Sequence, residues 1–343
     1  MCAAAALRAD TLTFTNGDEL TGTLVRADQA GIVFRSNMAN DVSVPWDHIQ
    51  ELRTTETFVV VESGGAPHSG QLLISGGMVE ISAPAAPLPQ FVPETRLRMI
   101  VDPETYRKAI TARPAPWQGW KGQASGGFNQ ISATQSSNSY NAQVDLRRPI
   151  PSLPWLTQKS ATLFHLNSSY GKLSQIGKPT VVTSIYSTAL EQDEYVSKRL
   201  FLFGNGELDH NYAQGLQLQQ AYGGGLGWKV IASAPTELSL RADLHWTRQR
   251  FLSAAVTNFL ASSLSESLRQ NYGRIVWTES ISLTPSLTSG LAYQMSGLSA
   301  WAVPVYKNFS VNFTVIDSYL NNPQPGFLRN SLQYSTGLQY TLP

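Results

Sequence analysis

Five histidines, His48, His68, His165, His210 and His245, are the side chains best suited to move protons or hold a metal near neutral pH. None stands in an HExxH or comparable ligand spacing. The single cysteine, Cys2, leaves no disulfide framework and no cysteine-based metal site in the body of the chain. No cofactor and no metal are therefore expected. In the stretch after residue 117, two histidines sit close to acids. Asp209 and His210 are adjacent, and neighbours in a strand point to opposite faces, so they do not work as a pair. Asp243 and His245 are two apart and share a face, the spacing of an acid–base pair in a strand. A hydrolase acting on lipid or peptide there is one reading. No Gly-x-Ser-x-Gly elbow or other motif places a nucleophile beside them, so catalysis is not expected. Gly223-Gly224-Gly225 followed by Gly227 has the look of a phosphate loop, but no helix follows it. Glycines inside a strand instead permit curvature and close approach of bulky neighbours.

These residues lie on segments that alternate at period two. In Leu216–Val230, Leu216, Leu218, Tyr222, Leu226 and Trp228 take one face, and Gln217, Gln219, Ala221, Gly223, Gly225, Gly227 and Lys229 the other. In Glu237–Thr247, Leu238, Leu240, Ala242, Leu244 and Trp246 oppose Ser239, Arg241, Asp243 and His245. Near the end, Leu332, Tyr334, Leu338, Tyr340 and Leu342 oppose Gln333, Ser335, Gly337, Gln339 and Thr341. The polar faces carry the acids Asp145, Glu191, Asp193, Glu207, Asp209 and Asp243 and the bases Lys121, Arg147, Lys229 and Arg241. A charge-selective channel would show rings of one sign; this mixture predicts the lining of a narrow wet pore or a cross-strand network instead. Glu207, Asp209, Arg241, Asp243 and His245 are expected to form it, with Arg241 reaching the two carboxylates across the glycines at 223, 225 and 227.

From about Trp117 onward, alternating segments of ten to fifteen residues follow one another without a helical interruption. Strands are predicted near 118–131, 138–147, 159–172, 181–195, 198–210, 215–231, 235–250, 265–284, 286–297, 299–306, 308–320 and 328–342. Long connections (173–180, 251–264) alternate with short ones such as Pro285-Ser286. Pro304 weakens the tenth strand because proline cannot donate to a ladder. Strands of this length exceed those of soluble sandwiches and match the roughly 9–11 or more residues needed to cross a bilayer at a tilt. Trp120, Trp228, Trp246 and Tyr340 fall near strand ends, where headgroups would lie. Charged residues make up 14% of the chain, against about 25% in ordinary soluble domains. No run of about 18 apolar residues exists for a transmembrane helix. The net charge of +1 argues against nucleic acid as a partner. The expected fold is all-β: a transmembrane antiparallel up-and-down barrel of about 12 strands over 118–343.

Residues 10–101 read as a separate small β domain. Thr11–Thr15 runs into Asn16-Gly17, a strong hairpin signal. A weaker copy begins at Phe58, and Gly22-Thr23-Leu24 is echoed by Gly70-Gln71-Leu72. The expectation is two SH3- or Sm-like units, or one strongly bent sheet, whose exposed edges could recruit a periplasmic partner strand. Residues 102–117 are a proline-bounded linker, with a turn or two of helix from Pro103 to Ala109. Residues 1–9 look like the small-residue tail of a secretory signal, or a disordered terminus.

Lys198-Arg199-Leu200-Phe201-Leu202-Phe203-Gly204-Asn205-Gly206-Glu207-Leu208, continuing through Tyr222–Trp228 to Thr236–Leu240, resembles the core of the domain of unknown function 481 family, described as salt-induced outer-membrane proteins. Asn16-Gly17-Asp18-Glu19-Leu20-Thr21-Gly22-Thr23-Leu24 resembles a small domain often fused before it. The resemblance implies a bacterial outer-membrane barrel, with outer-membrane lipid and the barrel-assembly machinery as partners, and brings no ligand or catalytic residue. Many such barrels end in an aromatic residue, whereas this sequence ends Leu342-Pro343. A structural barrel or a narrow small-solute pore is the function expected.

Overall fold

The computed structural model describes residues 9–36, 38, 40–83, 88–112, 114–132, 135–175, 177–288 and 292–342. The expected signal remnant, Cys2 included, lies outside the described residues apart from Ala9. The chain divides into two compact units, Met1–Arg113 with Leu153–Thr157, and Pro114–Ser152 with Gln158–Pro343.

The first unit contains β1 (Asp10–Phe14), β2 (Glu19–Asp28), β3 (Gly31–Ser36), β4 (Asn40–Pro45), β5 (Ile49–Arg53), β6 (Phe58–Glu62), β7 (His68–Ser75), β8 (Met78–Ser82), β9 (Gln90–Pro93) and β10 (Leu97–Val101). The β1–β2 turn uses Gly17 at φ 89°, and the Asp18 amide donates to Asn16 Oδ1 at 3.0 Å. Strands β1–β5 and β6–β10 are two copies of one pattern. The same spacing separates Asp10 from Phe58, Gly22 from Gly70 and Ile49 from Leu97. They are not two separate units. β5 pairs with β1 of its own copy and β7 of the other, while β10 pairs with β6 and with β2. With β6–β7 and β1–β2 paired as well, the ring closes as a six-stranded barrel, β1-β5-β7-β6-β10-β2.

One core serves both copies: Leu12, Ile32, Phe34 and Leu52 are buried against Val60, Ile74, Val79 and Ile100. One repeat alone would leave its apolar face open to water, so each copy completes the other. The repeated glycine has a steric cause. A Cβ on Gly22 would stand 2.0 Å from the Arg35 carbonyl oxygen, and one on Gly70 2.6 Å from that of Ser82. The amide two residues on is satisfied each time by a side chain: Leu24 N donates to Asp10 Oδ2 at 2.8 Å and Leu72 N to Thr54 Oγ1 at 2.7 Å. The segment expected as a linker begins with α1 (Pro103–Thr111). Asp102 caps it by accepting from Thr105 N at 2.8 Å, and proline stands at the first helical position, where no amide is needed.

The second unit contains β11 (Lys121–Ser132), β12 (Gln135–Ile150), β13 (Ser160–Gln175), β14 (Val181–Tyr195), β15 (Leu200–Asn211), β16 (Leu216–Ala232), β17 (Thr236–Phe251), β18 (Thr257–Tyr272), β19 (Ile275–Pro285), β20 (Tyr293–Tyr306), β21 (Phe309–Leu320) and β22 (Asn330–Leu342). Each pairs antiparallel with the next, and β22 pairs with β11, closing a twelve-stranded barrel. The total agrees with the sequence expectation, but two errors cancel within it. Residues 251–264, read as a long loop, hold the first half of β18. The segment read as one strand, 265–284, turns at Gly273, φ 62°. Residues 286–297 and 299–306, read as two strands, contribute the single strand β20. Its Pro304 pairs opposite Ser310 beside a bulge.

Alternation sorts the side chains by polarity. Leu226, Leu240, Leu244 and Trp246 are exposed on the outer face, and Leu338, Tyr340, Phe313 and Val311 likewise. The inner face buries Gln219, Thr247, Gln249, Asn312, Thr314 and Gln339. Aromatic pairs flank the outer band: the stacked Tyr140–Tyr170 and Tyr222–Trp246 toward the end away from the barrel termini, the stacked Trp277–Trp301 and the tilted Phe309–Tyr340 toward the termini. One expected face is reversed. Register shifts on both sides of β16 between Leu216 and Gln219 turn Leu216 inward, where it packs with Phe251 and Leu320. Gln217, expected inside, is exposed.

Candidate functional site

The polar interior of the barrel holds every residue of the expected network. Register decides who meets whom. Across β15, β16 and β17 the rows are Phe201–Gly227–Arg241, Phe203–Gly225–Asp243, Asn205–Gly223–His245 and Glu207–Ala221–Thr247, with Asp209–Gln219–Gln249 last. Arg241 is thus level with Phe201, not with Glu207 or Asp209, and the expected bridge to those carboxylates does not form. Its guanidinium pairs with Glu191 of β14 at 3.2 Å and lies over the rings of Phe201 and Phe203, 5.6 and 6.0 Å from their centroids. The glycines do permit a close approach, but to a ring: a Cβ on Gly227 would stand 2.0 Å from Phe201 Cζ.

Glu207 and Asp209 lie within hydrogen-bond reach of each other. Asp209 Oδ2 accepts from Gln219 Nε2 at 3.1 Å, and Gln219 Oε1 accepts from Gln249 Nε2 at 2.7 Å. Asp243 and His245, expected to share a face, are bonded, Oδ1 to Nδ1 at 2.6 Å. Ser263 Oγ donates to the other Asp243 oxygen at 2.7 Å. In a nucleophilic triad the serine hydroxyl meets the second imidazole nitrogen, and the carboxylate lies behind the ring. Here the carboxylate stands between serine and histidine, a structural cross-brace of β17 and β18. A second brace of the same kind joins Asp145 to His165 at 2.6 Å, with Gln143 Nε2 donating to the other oxygen at 2.8 Å.

The end of the lumen away from the termini is crossed by the β15–β16 connection. Tyr212–Gln214 forms a single 3-10 turn closed by Gly215 at φ 71°. Gln214, 3% exposed, donates through Nε2 to the carbonyls of Ser318 at 3.0 Å and Arg329 at 2.7 Å. Its Oε1 accepts from Asn211 at 2.8 Å. Gln214 therefore ties one wall of the mouth to β21 and to the β21–β22 connection. Below it, a cavity is lined by Glu207, Gln219, Asp243, His245, Thr247 and Gln249, among others.

Several of these residues escaped sequence reasoning. Phe201 and Phe203 face inward, yet Leu200-Phe201-Leu202-Phe203 is apolar on both faces and gives no polarity signal. Counting back in steps of two from Glu207 would have found them. Gln214 stands in a turn, where alternation says nothing. No group of three or more metal-ligating side chains comes together among the described residues.

A family described as "Protein of unknown function, DUF481" matches residues 125–342, which includes the stretch whose likeness is visible at 198–240. No curated protein matches the chain. Among solved structures, the chain is similar to the NanC porin at 8% identity, covering 65% of this chain and 100% of that one, with a TM-score of 0.39. It is similar to the translocator domain of the autotransporter NalP from Neisseria meningitidis at 10% identity, over 64% and 87% of the two chains, with a TM-score of 0.33. The CymD monoaromatic hydrocarbon channel follows at 7% identity, over 83% and 86%, with a TM-score of 0.31. Scores at this level carry no argument about function, and the barrel rests on this chain's own strand ladder.

Proposed function

The chain belongs to the DUF481 family, and we propose that it is a bacterial outer-membrane β-barrel whose narrow lumen admits small polar solutes, with residues 10–101 as a β module on the periplasmic side. The observation that carries the reading is the polarity of the barrel. Leucines and aromatics are exposed outside while glutamines, threonines and asparagines are buried inside, the inverse of a soluble barrel and the pattern that lipid selects. The stacked aromatic pairs near both rims fit headgroup belts. An even number of strands brings both barrel termini to one rim, which outer-membrane barrels keep in the periplasm. Narrowness follows from the Arg241 stack, the two aspartate–histidine braces and the Gln214 crossing. Outer-membrane lipid and the barrel-assembly machinery are the partners this reading needs. No catalytic step enters it.

The test is reconstitution of the full chain into planar bilayers. Small, discrete openings are expected, with heat-modifiable gel migration marking the folded barrel. A chain that stays out of the bilayer, or one that gives the steady, wide conductance of an open porin, would refute the reading.

A further inference from the structure

The cavity beneath Gln214 has a polar lining that includes two carboxyl groups. Among the described residues that line it there is no lysine or arginine, while Glu207 and Asp243 both do. The nearest guanidinium of β17, Arg241, is occupied by Glu191 and the phenylalanine rings. Two buried side chains in the lining have oxygens without a partner: Thr247 Oγ1, on a residue 3% exposed, and Gln249 Oε1, on one 2% exposed. Asn205 Oδ1 is a third.

The direction of the Gln249 amide has a cause. A carboxylate oxygen only accepts, so Asp209 draws the NH₂ of Gln219 toward itself. That turns the Gln219 carbonyl to Gln249, which must answer with its own NH₂. The relay leaves the Gln249 carbonyl without a donor, buried in the cavity wall. Burying oxygens without donors costs free energy that a ligand rich in N–H would recover. A hydroxylated neutral solute would also find acceptors here, but the Asp243 carboxylate favours positive charge.

We propose that this cavity is a binding site for a small organic ammonium solute, whose N–H groups are taken by Glu207, Asn205, Thr247 and Gln249 and whose charge is met by Asp243. The proposal rests on the barrel reading and names the solute class that its lumen holds.

The test uses the full chain folded in detergent micelles, with butylammonium chloride as the cationic probe. Butanol, sodium butyrate and sodium chloride at equal concentration are the controls. Melting temperature should rise saturably with butylammonium alone, because a ligand that binds only the folded state stabilises it by mass action. Asp243→Asn should weaken the apparent affinity about tenfold or more, the loss typical of a hydrogen bond to a charged group. Thr247→Val, which breaks no bond within the protein, should weaken it as well and serves where Asp243→Asn fails to fold. An equal rise with butanol or butyrate, or no rise at all, overturns the site, as does an affinity unchanged in the variants that fold. Bilayer insertion is scored separately. Insertion without butylammonium-specific stabilisation sinks the site alone, whereas specific stabilisation without insertion sinks the barrel reading alone.

Discussion

Replacing Gly227 by alanine puts one methyl group where the structure has a ring. The new Cβ would stand 2.0 Å from Phe201 Cζ and 2.2 Å from Cε2, against about 3.5–4.0 Å for carbons in favourable contact. The ring must retreat by roughly 1.5 Å or more to restore that distance. Phe201 is 1% exposed, so there is no solvent to retreat into. Moving it also loosens its place under the Arg241 guanidinium and its contact with Tyr195, 5.2 Å between centroids. Overpacking costs about 1–3 kcal/mol, and a weakened cation–π contact about 0.5–1 kcal/mol more. Removing a glycine from a strand returns about 0.5–1 kcal/mol. The net expectation is a loss of about 1–3 kcal/mol.

Gly204, on the outer face, is the control. Its added Cβ would meet nothing closer than the Gly223 carbonyl oxygen at 3.8 Å, so Gly204→Ala should equal the parent or gain up to about 1 kcal/mol. Urea unfolding of vesicle-reconstituted protein, followed by tryptophan fluorescence, measures both. Trimming the ring in a Phe201→Leu, Gly227→Ala double variant should recover part of the loss, since contacting residues couple. A Gly227→Ala variant as stable as Gly204→Ala would refute the row assignment that places Phe201 over Gly227.

Three further outcomes are expected. Leu240→Arg puts a charge on the apolar outer face and should cost about 2–4 kcal/mol in the same unfolding assay, with an unchanged midpoint counting against the face assignment. Gln214→Leu frees the Ser318 and Arg329 carbonyls from their tie and should raise single-channel conductance; wild-type conductance would show that this turn does not limit the passage. Residues 10–53 expressed alone lack their β7 and β10 partners, so sedimentation should find a dimer in which a second copy supplies the missing strands. A folded monomer would show that one repeat can close its own sheet.

The strands with strict alternation were legible in the sequence. In β17 every second residue from Ser239 to Thr247 is polar or charged and the residues between are apolar or alanine, so both faces could be assigned before any coordinates. The pattern failed where composition blurred it. Asn258-Phe259-Leu260-Ala261-Ser262-Ser263 mixes small and polar residues on both faces and reads as a loop, though it forms the outset of β18. The bulge at the start of β16 reverses Leu216 and Gln217, and a one-residue shift of that kind leaves no mark in a single sequence.

Pairing was least visible. Arg241 and its carboxylate could be placed in the lumen, but the choice of Glu191 over Glu207 follows from register, which alternation does not specify. In the first unit the echo of Gly22 at Gly70 gave the repeat, yet not the exchange of strands between its halves. That exchange is a long-range contact with no local signal.

The claim most exposed to contradiction is that β17 turns one face to lipid and the other to the lumen. The chain has one cysteine, Cys2, so a Cys2→Ser background accepts single cysteines from 238 to 247 without interference. Each is labelled with a fluorophore in vesicle-reconstituted protein and quenched by spin-labelled lipid chains or by a water-soluble quencher. Lipid quenching should peak at 240, 242, 244 and 246 and fall to background at 239, 241, 243 and 245, with this period of two sustained along the strand. Quenching that lacks the alternation, or that reports the odd positions in lipid, would contradict the barrel as described.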